Sequence, residues 1–175
     1  NIETEKTVDY NKLTGEALIR LLASSKGEKI TTKSRIPLDI VLVLDQSGSM
    51  SPENGNLIAK LKDAVDKFTV AIHKDAIDNE IDHRIAMVGF AMQNQYNFGN
   101  EFYQYLNTEI LTTGGDPIRY SSLSSDEMNK VYKNSLVYVD VDGLVNPVLT
   151  TAKNNIDAKG ATAADLGLDM ACKIF

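Results

Sequence analysis

The chain has 175 residues, of which 43% are hydrophobic and 24% charged, a composition typical of a globular protein with one domain or one domain and an appendage. The net charge of −6 provides no basic surface for nucleic acid, and the apolar runs are far too short to span a membrane. No signal-peptide pattern is recognisable, as we expect of a mature fragment or of a chain whose export signal has been removed.

The first 37 residues are predicted to form a strand and a linker. Residues 1–11 are polar, and Glu16 to Leu22 (EALIRLL) fits the period of a strand as well as that of a helix. Residues 24–37 are polar and rich in lysine, which is typical of a solvated connection.

The central stretch of the sequence is DIVLVLDQSGSM, which begins at Asp39. Its five consecutive apolar residues, Ile40 to Leu44, predict a strand buried on both faces, as in parallel sheets covered by helices. Three oxygen side chains follow at the carboxyl end of this strand, where open α/β sheets bind ligands: Asp45, Ser47 and Ser49. If they converge, they form an oxygen-only cluster suited to Mg²⁺ or Mn²⁺ rather than to Zn²⁺ or copper. The alternative is a simple Ser/Gly turn after a core strand.

The next segment predicts an amphipathic helix and a second buried strand. Apolar residues recur at three- and four-residue spacing from Leu57 to Ile72, so this helix would cover one face of the sheet. Arg84 to Ala91 (RIAMVGFA) has the composition of a buried strand. His73 and His83 flank the charged connection between them. Neither has a Cys or His neighbour at ligand spacing, so both are interpreted as surface residues.

Residues 93–134 form a long polar stretch rich in tyrosine. Ser124 and Glu127 form a capping box that predicts a short helix through Tyr132. Loops of this length are usually functional or disordered, and exposed tyrosines are frequent in recognition surfaces. The aromatic residues of this stretch either form such a surface or pack in a small core of their own.

The last part of the chain predicts a strand at Leu136 to Val141, a helix that starts at Asn146-Pro147, and a final helix after Thr162. A G-x-T segment before a helix is, taken alone, usually only a cap.

Cys172 is the single cysteine, so no intrachain disulfide is possible. Its apolar helical neighbours predict a buried thiol, and the alternative is an intermolecular bridge.

The D-x-S-x-S motif resembles the first motif of the metal-ion-dependent adhesion site in von Willebrand factor type A domains. The resemblance implies a Rossmann-like, doubly wound α/β sheet in which Ser47 and Ser49 bind the metal directly and Asp45 binds it directly or through water. Thr162, in a G-x-T segment at the expected place in the chain order, is implied as the fourth ligand. The fifth ligand of the family is an Asp at the end of a strand that would follow Phe175. The resemblance therefore implies an incomplete site for Mg²⁺, or for Mn²⁺ or Ca²⁺.

The resemblance covers residues 38–175, as a truncated type A domain with an inserted arm at about 93–134. The order of the N-terminal parts is similar to the entry into pilus tip and surface adhesins of Gram-positive bacteria, where a type A domain is inserted into an immunoglobulin-like domain. Residues 1–37 would lead in from that host domain. Lys6 stands where such domains carry a lysine that forms an isopeptide bond, and an exposed lysine is the alternative.

This resemblance implies a virulence-associated adhesin on the bacterial cell wall or pilus. An acidic side chain of a host or extracellular-matrix protein would complete the coordination of the metal. The alternative is an intracellular type A domain that acts as a metal-dependent interaction scaffold. An enzyme is not expected, because a phosphate-transfer enzyme of the haloacid dehalogenase type needs a second Asp where this chain has Ser47.

The type A fold also predicts an unpaired strand edge. In that fold the strand Ile40 to Leu44 pairs with the second strand on one side and, on the other, with a strand expected after Phe175. Without that strand, we expect the final helix to expose Leu166, Met170 and Cys172. We also expect the remainder of the same polypeptide or another chain to complete the sheet, or the protein to self-associate through the bare edge.

Overall fold

The computed structural model describes residues 2–25, 35–97, 100–120 and 122–175. The chain separates into two compact units, Asn1–Ser34 and Arg35–Phe175. Each unit has its own strand pairing and is described separately below.

The first unit is a β-hairpin. Strand β1 (Ile2–Asn11) pairs antiparallel with β2 (Glu16–Ser25), from Ile2 opposite Ser25 to Asn11 opposite Glu16. The ambiguous EALIRLL segment is therefore a strand, because it has a full-length partner to pair with. Lys6 lies opposite Leu21 and is exposed. Its part in an isopeptide bond stays a prediction.

The second unit combines short and long strands with helices. Its strands are β3 (Asp39–Asp45), β4 (Arg84–Phe90), β5 (Gln93–Asn97), β6 (Asn100–Gln104), β7 (Glu109–Ile110), β8 (Ile118–Arg119), β9 (Val137–Tyr138), β10 (Asp140–Val141) and β11 (Leu144–Val145). Its α-helices in the described residues are α1 (Leu57–Asn79), α2 (Ser125–Asn134), α3 (Pro147–Asn154) and α4 (Ala164–Ile174). Single 3₁₀ turns occur at Gly48–Met50, Pro52–Asn54 and Tyr105–Asn107.

The central sheet is mixed. Strands β3 and β4 run parallel, from Asp39 opposite Arg84 to Asp45 opposite Phe90, and α1 forms the crossover between them. Strands β7 and β9 pair antiparallel with opposite ends of β4, and β8 pairs antiparallel with β7. In the described part of the chain β3 pairs with β4 alone, so the other edge of β3 carries no strand.

Helices cover both faces of this sheet. Ile85 and Met87 of β4 pack in one buried cluster with residues of α1 and α3. The alternate residues Ala86 and Val88 pack in a second cluster with residues of α2 and α4. This alternation follows from the period of two along a strand. The predicted α/β class is confirmed at the level of a mixed α/β architecture.

Strand β3 is less buried than the sequence predicts. Residues 40–43 are half-buried and Leu44 is buried, whereas β4 is buried from Ile85 to Gly89. The cause is the sheet order, because β4 has strands on both edges and β3 lies at an edge of the described sheet.

The predicted helix starts are largely confirmed. Ser124 Oγ accepts from the backbone N–H of Glu127, while Glu127 Oε2 accepts from the N–H of Ser124 at 3.0 Å, which completes the capping box. Asn146 Oδ1 accepts from Val148 N at 2.9 Å at the start of α3. Helix α1 continues seven residues beyond the predicted end at Ile72, to Asn79.

The predicted arm at 93–134 is divided between a hairpin and the sheet. Strands β5 and β6 form a separate antiparallel pair, with Gln93 opposite Gln104. From Thr108 to Thr112 the chain is buried, and α2 contributes Met128 and Tyr132 to the second cluster. The extent predicted for the arm is therefore wrong from Thr108 onward, because this segment contains β7 and the helix that covers the sheet.

Two predictions about α4 are wrong. Leu166 and Met170 are buried in the second cluster instead of exposed. Cys172 is exposed, as the truncated fold predicts, so the interpretation as a buried thiol is wrong. The geometry of a helix explains the difference, because a residue two positions from Met170 lies on the opposite side.

The histidines are not surface residues. His83 is 1% exposed; its Nδ1 accepts from the backbone N–H of Leu38 at 3.1 Å, and its Nε2 lies 3.1 Å from Asp75 Oδ2. His73 is half-buried and its Nε2 lies 2.9 Å from Asp140 Oδ1. Both rings satisfy polar partners inside the fold, and spacing in the sequence does not reveal those partners.

Within the described residues, every helix is too short or too polar to cross a membrane.

Candidate metal-binding site

The candidate site lies at the carboxyl end of β3, beside the end of the parallel strand β4. Asp45 is the last residue of β3, and its Oδ1 accepts from the backbone N–H of Ser47 at 2.7 Å. This bond forms an Asx turn, which folds the chain back after the strand. The residues from Gln46 to Met50 are called the serine loop below. Within the loop, Ser47 is buried and Ser49 is exposed.

The two serine hydroxyls are spaced as neighbouring ligands of an octahedral ion are spaced. Their Oγ atoms lie 2.9 Å apart, in hydrogen-bond contact. Mg²⁺ holds oxygen ligands at about 2.0–2.1 Å in octahedral geometry, so adjacent ligands of this ion are also about 2.9 Å apart. With the carboxylate of Asp45 nearby, the oxygen-only donor set fits Mg²⁺ or Mn²⁺.

Thr162 is brought toward the serine loop by the backbone of its own segment. The N–H of Gly48 donates to the carbonyl of Gly160 at 2.6 Å. Met92 and Ala161 exchange two backbone hydrogen bonds, of 2.7 and 2.8 Å, which hold the same segment beside the end of β4. Thr162 is exposed, and the two residues from Gly160 to Thr162 span at most about 7 Å. Asp45, Ser47 and Ser49 are thus linked directly, and Thr162 is joined to them through the Gly48–Gly160 contact.

Gly160 is required for this close approach. Its φ is +70°, and a Cβ at this position would lie 1.7 Å from the carbonyl oxygen of Met92. Any side chain would therefore push the segment that carries Thr162 away from β4.

A buried polar network beneath the site was not predicted from the sequence. Glu109 on β7 is 2% exposed and accepts from Lys159 Nζ, and Gln46 of the serine loop is fully buried. The sequence gives one weak signal of this network, a carboxylate directly before the apolar pair Ile110-Leu111.

Tyr105 links the end of the β5–β6 hairpin to the start of α4. Its hydroxyl donates to Asp165 Oδ2 at 2.9 Å. This hydrogen bond to a carboxylate raises the pKa of Tyr105, since ionising the phenol would place two negative charges together. Asp165 is three residues after Thr162, so this hydrogen bond connects the end of the hairpin to the helix that follows the candidate site.

The candidate site contains one carboxylate and three hydroxyls, so it differs from sites built mainly of His, Cys and acidic side chains. In the described ranges no three or more His, Cys, Asp or Glu residues are grouped so that they could hold a metal ion. The metal assignment therefore depends on the serine loop and the Thr162 segment alone.

Comparison of the chain with family models, with curated proteins and with solved structures yields no match.

Proposed function

We propose that this chain is a divalent-metal-dependent adhesion domain of the von Willebrand factor type A kind, from the surface or pilus of a Gram-positive bacterium. The observation that carries the proposal is the turn at the carboxyl end of β3. There the Asp45 carboxylate binds the backbone of Ser47, and the hydroxyls of Ser47 and Ser49 lie 2.9 Å apart.

The architecture around the site supports this family. Strands β3 and β4 are parallel, α1 crosses over between them, and helices pack on both faces of the sheet. Open α/β sheets with this arrangement bind ligands at the carboxyl ends of their strands. In this proposal the fold is the Rossmann-like, doubly wound sheet of the type A family.

The residues of the site suit a role in attachment. The proposed metal ligands comprise the neutral hydroxyls of Ser47, Ser49 and Thr162 and the single negative charge of Asp45. A divalent ion held by this set would keep a net positive charge, which could bind a carboxylate of the partner. Asp45 holds the turn, and the Gly48–Gly160 hydrogen bond holds the two segments together. The partner in this proposal is a host or extracellular-matrix protein that presents an acidic residue.

Calorimetric titration with Mn²⁺ tests the proposed site. We expect one weak site, because the set contains a single carboxylate. Asp45→Asn should abolish the binding. Asp142→Asn is the matched control, since it removes the same charge from the exposed turn between β10 and β11. Equal Mn²⁺ binding by Asp45→Asn and by the unmodified chain would exclude the site.

Adhesion itself requires a second measurement. Binding of the chain to immobilised matrix proteins should need Mg²⁺ or Mn²⁺ and should be lost with a chelator. Ser49→Ala should weaken this binding, because it removes an exposed hydroxyl of the site. Attachment that persists in chelator would contradict a metal-dependent mechanism.

A further inference from the structure

The centre of the buried network is the carboxylate of Glu109 on β7. The residue is 2% exposed; Lys159 Nζ donates to its Oε1, and Arg119 Nε lies 4.0 Å from its Oε2. Burial of a carboxylate is strongly unfavourable unless the group is paired and hydrogen-bonded. These partners therefore decide where Glu109 can lie.

Gln46 joins this network to the serine loop. In the carboxamide orientation that satisfies both ends, its nitrogen donates to Glu109 Oε1 at 3.2 Å and its oxygen accepts from the backbone N–H of Asp157 at 3.1 Å. Its backbone carbonyl accepts from the N–H of Lys159 at 2.7 Å. Gln46 stands between Asp45 and Ser47, so its fixed side chain restricts both neighbours.

Gly89 of β4 provides the space for this arrangement. A Cβ at Gly89 would lie 2.2 Å from the side chain of Gln46, and Gly89 is the residue opposite Glu109 in the β4–β7 pair. The buried carboxamide therefore lies over a strand position that has no side chain.

The network and the backbone together form a closed ring. Lys159 precedes Gly160, whose carbonyl accepts from Gly48 at 2.6 Å, and Gln46 lies two residues before Gly48. Glu109 binds both Lys159 and Gln46, so it connects the two segments through side chains. Gly48 and Gly160 connect the same segments through a backbone hydrogen bond.

We propose that Glu109 is a positioning residue that, through Lys159 and Gln46, holds the serine loop against the segment that carries Thr162. The role in metal binding rests on the function proposed above. The linkage of the two segments consists of hydrogen bonds within the protein, so it can be measured without a metal.

Amide hydrogen exchange, measured by NMR on the metal-free chain, tests the linkage. Lys159→Met removes the donor to Glu109. Lys153→Met is the matched control, because the Lys153 side chain is 23% exposed, against 21% for Lys159, and pairs with Asp66 between α3 and α1. The amide of Leu111, which donates to Met87 in the sheet at 2.8 Å, reports on the core.

We expect Lys159→Met to speed exchange at Gly48 and Ala161 by about tenfold, with Leu111 changed by less than about twofold. Lys153→Met should leave all three amides unchanged. If Lys159→Met does not fold, Glu109→Gln replaces it, since it keeps the size of the side chain and removes its charge. Equal acceleration at Leu111, or the same effect in Lys153→Met, would overturn the proposal.

Mn²⁺ titration then tests the consequence for the site. We expect affinity to fall about tenfold in Lys159→Met and to stay unchanged in Lys153→Met. Local exchange that rises without loss of Mn²⁺ affinity would overturn the positioning role. Absence of Mn²⁺ binding by the unmodified chain would refute the proposed function, and the exchange data would still decide whether Glu109 links the two segments.

Discussion

Among single residues, Asp75 on α1 has a clear electrostatic role. Because the backbone N–H of Leu38 donates to Nδ1 of His83, the ring carries its proton on Nε2 and donates it to Asp75. Arg35 also donates to the Asp75 carboxylate. The hydrogen bond from His83 and then that from Arg35 lower the pKa of Asp75 below 3.8.

This lowered pKa predicts a pH-dependent contribution to stability. Because the folded-state pKa lies below the unfolded value, the Asp75 carboxylate stabilises the fold above about pH 3.8, and this contribution is lost as the pH falls through the folded value. Asp75→Asn should therefore lower the urea midpoint at neutral pH, and the difference from the unmodified chain should shrink in acid. Asp63→Asn, at an exposed ion pair on the same helix, should have little effect. A deficit in Asp75→Asn that is constant with pH would contradict this account.

Gly160 provides a second test at this scale. Gly160→Ala combines a left-handed backbone with a collision, since the new Cβ would lie 1.7 Å from the Met92 carbonyl. Gly55→Ala is the control, because Gly55 has a φ of +85° and open space around it. We expect Gly55→Ala to cost about 1–2 kcal/mol and Gly160→Ala clearly more, measured by urea denaturation. Equal losses of stability in the two variants would mean that the segment around Gly160 shifts to accommodate the new Cβ at no additional cost.

Residues close in sequence were easier to predict than residues brought together by the fold. Ser47 and Ser49 are contiguous with β3, so their convergence follows from the motif and is observed. Glu109 and His83 were missed or misjudged because their partners, Lys159 and Asp75, lie on other elements. A polar residue that is satisfied by a distant partner has the same local sequence pattern as an exposed one.

Among the elements, the hairpin of β5 and β6 pairs outside the central sheet. Gln93 and Gln104 lie opposite each other at its base, so a short glycine turn can replace the residues between them. We predict that this deletion leaves the melting temperature nearly unchanged but weakens attachment to the partner, because the hairpin ends next to Tyr105 and its contact with Asp165. Full attachment by the folded deletion variant would assign the hairpin no part in binding.

The elements differ in how well the sequence defines them. The start of α2 depends on Ser124 and Glu127, which are three residues apart, and both capping bonds are present. Strands β7 and β8 contain two residues each, too few for any hydrophobic period to appear. For this reason the stretch after the hairpin was predicted as part of an arm, although β7 and β8 extend the sheet.

In the molecule as a whole, the described sheet ends at an unpaired edge of β3. Such an edge is a template for another strand. We predict that the 19.2 kDa chain associates with itself or with a completing polypeptide, measured by light scattering together with intact mass. Residues 35–175 without the first unit should associate equally, because the edge lies in the second unit. A monomer that melts cooperatively at all concentrations would contradict the prediction.

At this scale the sequence predicted the α/β class and the parallel β3–β4 pair with its crossover helix. It did not predict that antiparallel strands β7 and β9 would occupy the other edge of β4. These strands come from distant parts of the chain. Ile110 of β7 packs in the second cluster and Val137 of β9 packs against the first, so no local sequence signal indicates that both strands pair with β4.

The Gly48–Gly160 hydrogen bond also determines when the candidate site can exist during folding. The two glycines lie on segments separated by α1, β4, β7 and α3, so the contact closes a long loop and should form late. A nascent chain would have the serine loop before the segment that carries Gly160 has been synthesised. Any ligand that contacts both segments therefore binds only folded molecules. At a ligand concentration a hundred times its Kd, binding would stabilise the folded state by about 2.7 kcal/mol.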